Sequence, residues 1–447
     1  MNIDISKKIL NLTIPVMLAN AANNITGFIN TLILTMALGA AALSASALIY
    51  SSFAMLMMVA FSFMVPVSIL IGQAMGAAQP EKVKQIFYEG VVLTILFSLL
   101  PLLLMRNAEF IFTYFRQPKE AAVLAGVYYD AISYGFIPML ACMGVNQLCM
   151  GLHKAHMGLI FSLFGCSLNV LFTYLLVQGH WGFPALGIRG AGLAFTISYI
   201  MAFIVQISYL ILHPGIKHYQ FFKFSWKLIF IKRFMAISIP LCIQRVAELL
   251  VLTVLTLFMG VIGHEALAAQ QIVLQISTLF LMVPMGFLQA CGILTGAAFA
   301  QKNYKLIKQY TLYANLLGTL CILILACFCW TAPQFIIHLF VKNNVSTEFI
   351  HLASVLLYLT AFTHIFDNIR NTTIGALRGM SDAKIPMYHS LIALWVVGVP
   401  CSYLFAFIFH LNAVGVNLGF FIGIVVGTYL IVQRFIQKLS SVMSSRA

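Results

Sequence analysis

The chain has 447 residues, 62% of them hydrophobic and only 8% charged, with a mean hydropathy of +0.99. A soluble fold carries roughly a quarter charged residues, so the composition excludes a soluble enzyme; the net charge of +14 suggests a nucleic-acid binder, and the distribution of that charge along the chain excludes one. Apolar runs of the roughly 20 residues needed to cross a bilayer recur from end to end, and the chain reads as an all-α polytopic membrane protein.

Twelve spans are expected near 9–37, 43–74, 86–105, 121–150, 157–178, 190–212, 235–261, 267–299, 307–330, 348–376, 386–409 and 412–436. Asp4 precedes span 1, which is too long and too rich in asparagine to read as the apolar core of a cleavable leader. That span carries Asn20, Asn23, Asn24 and Asn30 and no acid. Asparagines in a span either hydrogen-bond between helices, for about 0.6 kcal/mol each, or line a polar cavity; the cluster favours a cavity wall. Span 4 places Asp130 near its outer end, where water is available, and span 5 carries Asn169. A polar connection over 213–234 then separates a first lobe, 1–212, from a second, 235–447.

Span 7 opens the second lobe with Arg245 and Glu248, and span 10 carries Asp367 and Arg370. Each pair is spaced i, i+3, on one helix face. Intramembrane charges face a bundle interior or a water-filled cavity and mark ion or proton pathways. Two readings stand: salt bridges that hold the lobe together, or carboxylates from two non-adjacent spans that form a cation site. Burial makes a carboxylate hold a proton more readily and a neighbouring cation does the reverse. Proton exchange near neutral pH therefore requires the arginines to turn partly away. His364, one turn before Asp367, reads as a proton shuttle or as a packed neutral ring.

All nine cysteines fall in spans without CxxC or metal-ligand spacing and read as reduced packing residues. No HExxH or GxSxG string occurs, so no catalytic set, resident metal or cofactor is expected. The Asn-x-Ser/Thr match at Asn344 falls in an outside loop. If the N-terminus is cytoplasmic, 18 lysines and arginines lie in inside segments and five outside, with Arg245 and Arg370 in the membrane. The positive-inside rule then places both termini in the cytoplasm, and the excess of positive charge is a topology signal.

The two halves repeat at an offset of 224–225 residues: "KKILNLTIP" (7–15) lies against "KRFMAISIP" (232–240), and "GQAMGAAQPEKVKQ" (72–85) against "GAAFAQKNYKLIKQ" (296–309). Gly187 and Gly415 match at an offset of 228. Six spans per half is an even number, so this is a parallel repeat about an axis along the membrane normal, an arrangement found in alternating-access carriers. By the repeat, Glu248 falls on Asn23. The 37 phenylalanines, 21 methionines and 17 tyrosines suit an adaptable apolar cavity.

With these residues in place, the chain resembles, over nearly its whole length, the multidrug and toxic compound extrusion (MATE) family of antiporters, in its NorM-like branch. The strings that carry the resemblance are "GALRGMSDAKIPM" (375–387), "FPALGIRGAGLAFTIS" (183–198), the "IP…E" pattern at 239–248 and "EALAAQQIVLQIS" (265–277). The resemblance implies a V-shaped pair of six-helix lobes that exports organic cations or amphipathic drugs and metabolites by alternating access, in exchange for sodium ions or protons. A monomer in the lipid of the bacterial inner membrane is expected. Glu248, 23 residues before Gln271 of the "AAxQ" string, and Asp367, ten before Leu377 of "LRG", match the family's coupling-cation acids. Arg245, Arg370 and His364 would modulate them, and Asn23, Asn30, Asn169, Thr173, Gln271 and Gln275 would line the substrate cavity.

Three departures from the family pattern stand out. "GFINT" puts Asn30 where members commonly carry aspartate, and Thr173 follows Asn169 where some carry a second acid. The family pattern does not call for Arg245 and Arg370 beside the acids, and two guanidinium groups would occupy the place of a bound cation. The alternative is a flippase for a lipid-linked substrate of the same superfamily, which would need a groove of clustered cationic residues.

Overall fold

The computed structural model describes residues 3–217, 219, 221, 229–340 and 346–444, with the backbone alone at 39–44, 47 and 217. Asn344, the cations Lys223, Lys227, Lys342 and Arg446, and residues 222–228 of the expected connection lie outside the described residues. Among the described residues, twelve helices are long and apolar enough to cross a membrane: span 1 (Ile3–Leu38), span 2 (Leu48–Gly76), span 3 (Glu81–Arg106), span 4 (Lys119–Gly151), span 5 (Ala155–Gln178), span 6 (Gly187–Leu212), span 7 (Ile231–Ile262), span 8 (His264–Ala300), span 9 (Tyr304–Thr331), span 10 (Thr347–Gly379), span 11 (Lys384–Ile408) and span 12 (Asn412–Ser444). Each expected span has its helix, and the described residues contain no strand. The reason is elementary: hydrocarbon offers no partner to a backbone N–H or C=O, so each crossing segment must satisfy its own groups. Side chains trim the ends, as where Ser346 accepts from Phe349 N at 3.1 Å and Asn303 from Leu306 N at 3.1 Å.

The backbone clusters into two compact units, Leu18–Ser238 and Met1–Met17 with Ile239–Ala447. Both boundaries cut through a span, just past Pro15 in span 1 and just before Pro240 in span 7. In the first-half unit, Leu34, Ile49, Ile132, Phe136 and Met139 surround buried Tyr129, whose hydroxyl donates to Ile49 O at 3.1 Å and meets Ser52 Oγ at 2.6 Å. Span 3 carries a buried acid outside the expected set. Glu89, 1% exposed, accepts from Ile229 N and Phe230 N at 2.7 Å each and from Gln85 Nε2 at 2.8 Å. It satisfies backbone donors at the entry to span 7, which a helix N-terminus leaves without partners.

In the second-half unit spans 8 and 10 pack extensively on each other, and spans 11 and 12 pack backbone against backbone. Span 11 widens to π-helical turns at Ile392–Gly398 and Leu404–Ile408, and span 12 presents Gly415, Gly419, Gly423 and Gly427 at four-residue intervals. At Gly419 a Cβ would collide with the backbone N and Cα of Ser402. Only glycine permits this approach.

Candidate functional site

Four of the expected site residues form one network inside the second-half unit. Arg370 is its centre. Its Nε and Nη2 donate to Asp367 Oδ1 at 3.0 and 2.7 Å, and its Nη1 donates across to Glu248 Oε1 at 3.1 Å. Arg245 donates Nη1 to Glu248 Oε2 at 3.1 Å, one turn along span 7. The i, i+3 spacing implies an arginine for each acid; in the structure Arg370 serves both, and Glu248 takes two. Side-chain exposures grade from 5% and 8% at Arg370 and Asp367 to 14% and 16% at Arg245 and Glu248. Span 7 thus carries the more accessible half of the network and span 10 the buried half.

The packing of span 12 makes room for this. A Cβ at Gly427 would stand 3.4 Å from Arg370 Cδ and 3.1 Å from Ala393 Cβ, so the glycine leaves the space through which the arginine stem runs. Asn371 donates to Asp367 O at 3.0 Å, and Asn315, on span 9, bonds Thr373 at 3.3 Å.

Sequence reasoning places Arg378 of the "LRG" string among the cytoplasmic loop cations. The structure buries it at the last turn of span 10, 2% exposed, where Nη2 donates to Gln244 Oε1 at 2.9 Å. Gln244 then turns its Nε2 to Glu248 Oε1 at 3.1 Å and to Ser390 Oγ at 3.2 Å. Arg378 also lies within electrostatic reach of Arg245, Arg370 and Glu248. The signal was available: a glutamine one turn before Glu248 and an arginine inside a family string.

His364 is buried, with its ring stacked on Phe280 (centroids 5.0 Å apart, planes 9° apart) and no hydrogen-bond partner at Nδ1. It sits beside the network rather than in its hydrogen-bond chain. Gln271 and Gln275 are exposed on one face of span 8, whereas neighbouring Gln270 is buried and accepts from Asn417 at 3.0 Å.

The first-half unit holds a smaller, uncharged cluster. Asn30 Nδ2 donates to Asn169 Oδ1 at 2.6 Å, while Asn30 Oδ1 and the fully buried Thr173 Oγ1 have no hydrogen-bond partner. Asn23 is exposed, donates to Ala19 O at 2.9 Å and accepts from Cys166 Sγ at 3.5 Å. Asp130, exposed near the end of span 4, pairs with Arg106 at 3.0 Å and belongs to neither cluster.

A sodium ion seeks several oxygen ligands. Here both oxygens of Glu248 and Oδ1 of Asp367 already accept from guanidinium or amide groups. A metal ion between the acids would need Arg370 to withdraw from both. Among the described residues no group of three or more His, Cys, Asp or Glu could hold a metal.

One family model, MatE, matches the chain twice, over residues 15–175 and 240–404. The chain belongs to the MatE family. The two matches begin at Pro15 and Pro240, the prolines that the internal repeat aligns. Curated relatives of this MatE chain include two proteins named "Probable multidrug resistance protein NorM". The one from Agrobacterium fabrum (strain C58 / ATCC 33970) is 30% identical over 89% of this chain and 87% of its own length. The one from Synechocystis sp. (strain ATCC 27184 / PCC 6803 / Kazusa) is 27% identical over 96% and 94%. Among solved structures, "Crystal structure of MATE in the bent conformation" superposes with a TM-score of 0.89 at 18% identity over 99% of this chain and 97% of that one. "Outward-facing conformation of a multidrug resistance MATE family transporter of the MOP superfamily" superposes with a TM-score of 0.89 at 18% identity, over 98% and 96%. These likenesses establish the fold as that of the MATE transporters, in a multi-pass membrane protein.

Proposed function

We propose that this MatE protein is a cation-coupled exporter of organic cations and amphipathic compounds that works by alternating access in the bacterial inner membrane, with both termini in the cytoplasm. The relatives named as multidrug resistance proteins support export. One observation carries the coupling assignment: acids of two separate spans, Glu248 and Asp367, share the guanidinium of Arg370 at 3.1 and 2.7 Å. Arg370 acts as a tethered cation. When it stays, the carboxylates are neutralised from within; when it withdraws, they need a proton or a sodium ion, because an unpaired buried charge costs several kcal/mol. Occupancy by the coupling ion then shifts the balance between lobe arrangements through its different affinity for each.

The test is efflux of an organic cation dye from proteoliposomes with sodium and proton gradients imposed one at a time. One of the two gradients should drive efflux in the parent. Glu248→Gln and Asp367→Asn should each lose at least nine-tenths of it per folded molecule. Each substitution strands a guanidinium, so rates must be normalised to the monodisperse fraction. Full gradient-driven efflux by the double variant would remove the coupling role.

The flippase alternative would need cationic residues that face a groove, and of Arg245, Arg370 and Arg378 only Arg245 is partly exposed. Translocation of a lipid-linked phosphate across the same vesicles, independent of either gradient, would select it.

A further inference from the structure

The network of the second-half unit is not electrically balanced. Glu248 and Asp367 supply two negative charges, while Arg245, Arg370 and Arg378, which lie within electrostatic reach of one another, supply three positive ones. Arg434 and Asp382 pair with each other at 2.7 Å and add nothing to the balance. The surplus positive charge is placed unequally. Arg370 is spent on two carboxylates, and Arg378 is sealed behind Gln244. Arg245 is the accessible one. One of its terminal nitrogens bonds Glu248, and the other, Nη2, meets the thioether sulfur of Met285 at 3.3 Å. A thioether is a weak acceptor, so a guanidinium nitrogen that ordinarily seeks an oxygen is held against a group an anion can replace.

We propose that Arg245 is a binding site for an anionic group, a carboxylate or a phosphate, on the transported compound, with Met285 and the aliphatic stem of Arg245 receiving its apolar body. The proposal rests on the transport reading above and narrows its substrates, from organic cations and amphipathic compounds at large, to those that also carry an acid group. A carboxylate at Arg245 brings the network from one surplus positive charge to none, and a doubly charged phosphate brings it to one surplus negative charge. A permanent cation bound in the same place raises the surplus to two. Guanidinium also presents paired donors that match a carboxylate or phosphate in two-pronged geometry. Compounds that carry an acid group, amphoteric ones included, are therefore favoured at this site over simple quaternary cations.

Equilibrium dialysis of the purified protein in nanodiscs separates the possibilities with four probes of one size class: benzoate, phenyl phosphate, benzyl alcohol and benzylammonium. Benzoate or phenyl phosphate should bind at least tenfold more tightly than benzylammonium, and the tighter of the two identifies the group. Arg245→Gln should abolish that preference, and Arg245→Lys, which keeps the charge, should retain part of it. Equal or tighter binding of benzylammonium to the parent overturns the proposal, and this comparison requires no variant to fold. Unchanged preference in a folded Arg245→Gln variant overturns it too. Failure of the coupling assignment reads out separately, in the efflux of Glu248→Gln and Asp367→Asn, and leaves these binding results intact.

Discussion

The two units solve the problem of polar groups in a membrane in opposite ways. Apart from Glu89 near the end of span 3, the first-half unit uses neutral groups: Asn30 meets Asn169 at 2.6 Å, and Thr173 keeps a hydroxyl with no partner. The second-half unit uses full charges on spans 7 and 10, chained through Arg370. An amide can exchange one hydrogen-bond partner for another at a net cost of about 1 kcal/mol. A buried ion pair cannot be opened so cheaply. The charged unit is thus the one whose energy responds strongly to an arriving ion, while the neutral one tolerates a change of partner without taking a side.

The sharpest way to break this contrast is to remove its centre. Arg370→Gln leaves Asp367 without a cationic partner and should lower stability by about 3–5 kcal/mol, seen as a fall in apparent melting temperature in detergent. Adding Asp367→Asn should recover much of that loss, because an uncharged pair in place of a charged one approaches neutrality. A single variant as stable as the parent would show that the network is held by packing alone.

Next comes Arg378→Met, which leaves the buried Oε1 of Gln244 without a donor and frees its amide to turn. The expected cost is about 1.5–3 kcal/mol, with a fall in efflux rate as Nε2 loses its aim at Glu248. Arg378→Lys should restore part of both. An intact efflux rate in a destabilised Met variant would confine Arg378 to a structural role.

Asn30→Asp would bring charge to the neutral unit. An ionised carboxylate cannot donate to Asn169 Oδ1 and brings an unpaired charge to a half-buried place, so the variant should lose about 1–3 kcal/mol. The penalty is present where the new group is ionised and is relieved as the pH falls or as sodium replaces choline. Melting curves across pH and salt, compared with the parent, read this directly. A variant with the parent's pH and sodium response would place Asn30 where no ion reaches. Thr173→Val should change least, within about 0.5 kcal/mol, because the hydroxyl it removes makes no hydrogen bond. A loss of transport there, with stability intact, would give that hydroxyl a ligand.

Much of this was legible in the sequence, because hydropathy and spacing are local. All twelve helices stand where apolar runs put them, and each acid has its arginine one turn away. Spacing along one helix carries no information about how a neighbour is rotated. The bond from Arg370 to Glu248, between spans 10 and 7, and the meeting of Asn30 with Asn169 therefore emerge only from the fold. Arg378 and Glu89 were missed for another reason. Both lie near span ends, where a charge reads by default as solvated, and both are buried because another segment meets them there: Gln244 of span 7 against Arg378, and the backbone N–H groups of Ile229 and Phe230, just before span 7, against Glu89.

The glycine stripe of span 12 has a consequence for genetics. In a screen that scores every substitution by survival under a toxic compound, Gly419 and Gly427 should stand out as intolerant as any residue of the charge network. At Gly419 the defect would be one of abundance, since even alanine drives into the backbone of Ser402. At Gly427 the added methyl would crowd Ala393 at 3.1 Å and come into contact with the stem of Arg370 at 3.4 Å, and a normally abundant protein could still lose its phenotype. Two glycines on one helix face, two turns apart, would then share a survival score and part company as soon as protein level is measured beside it.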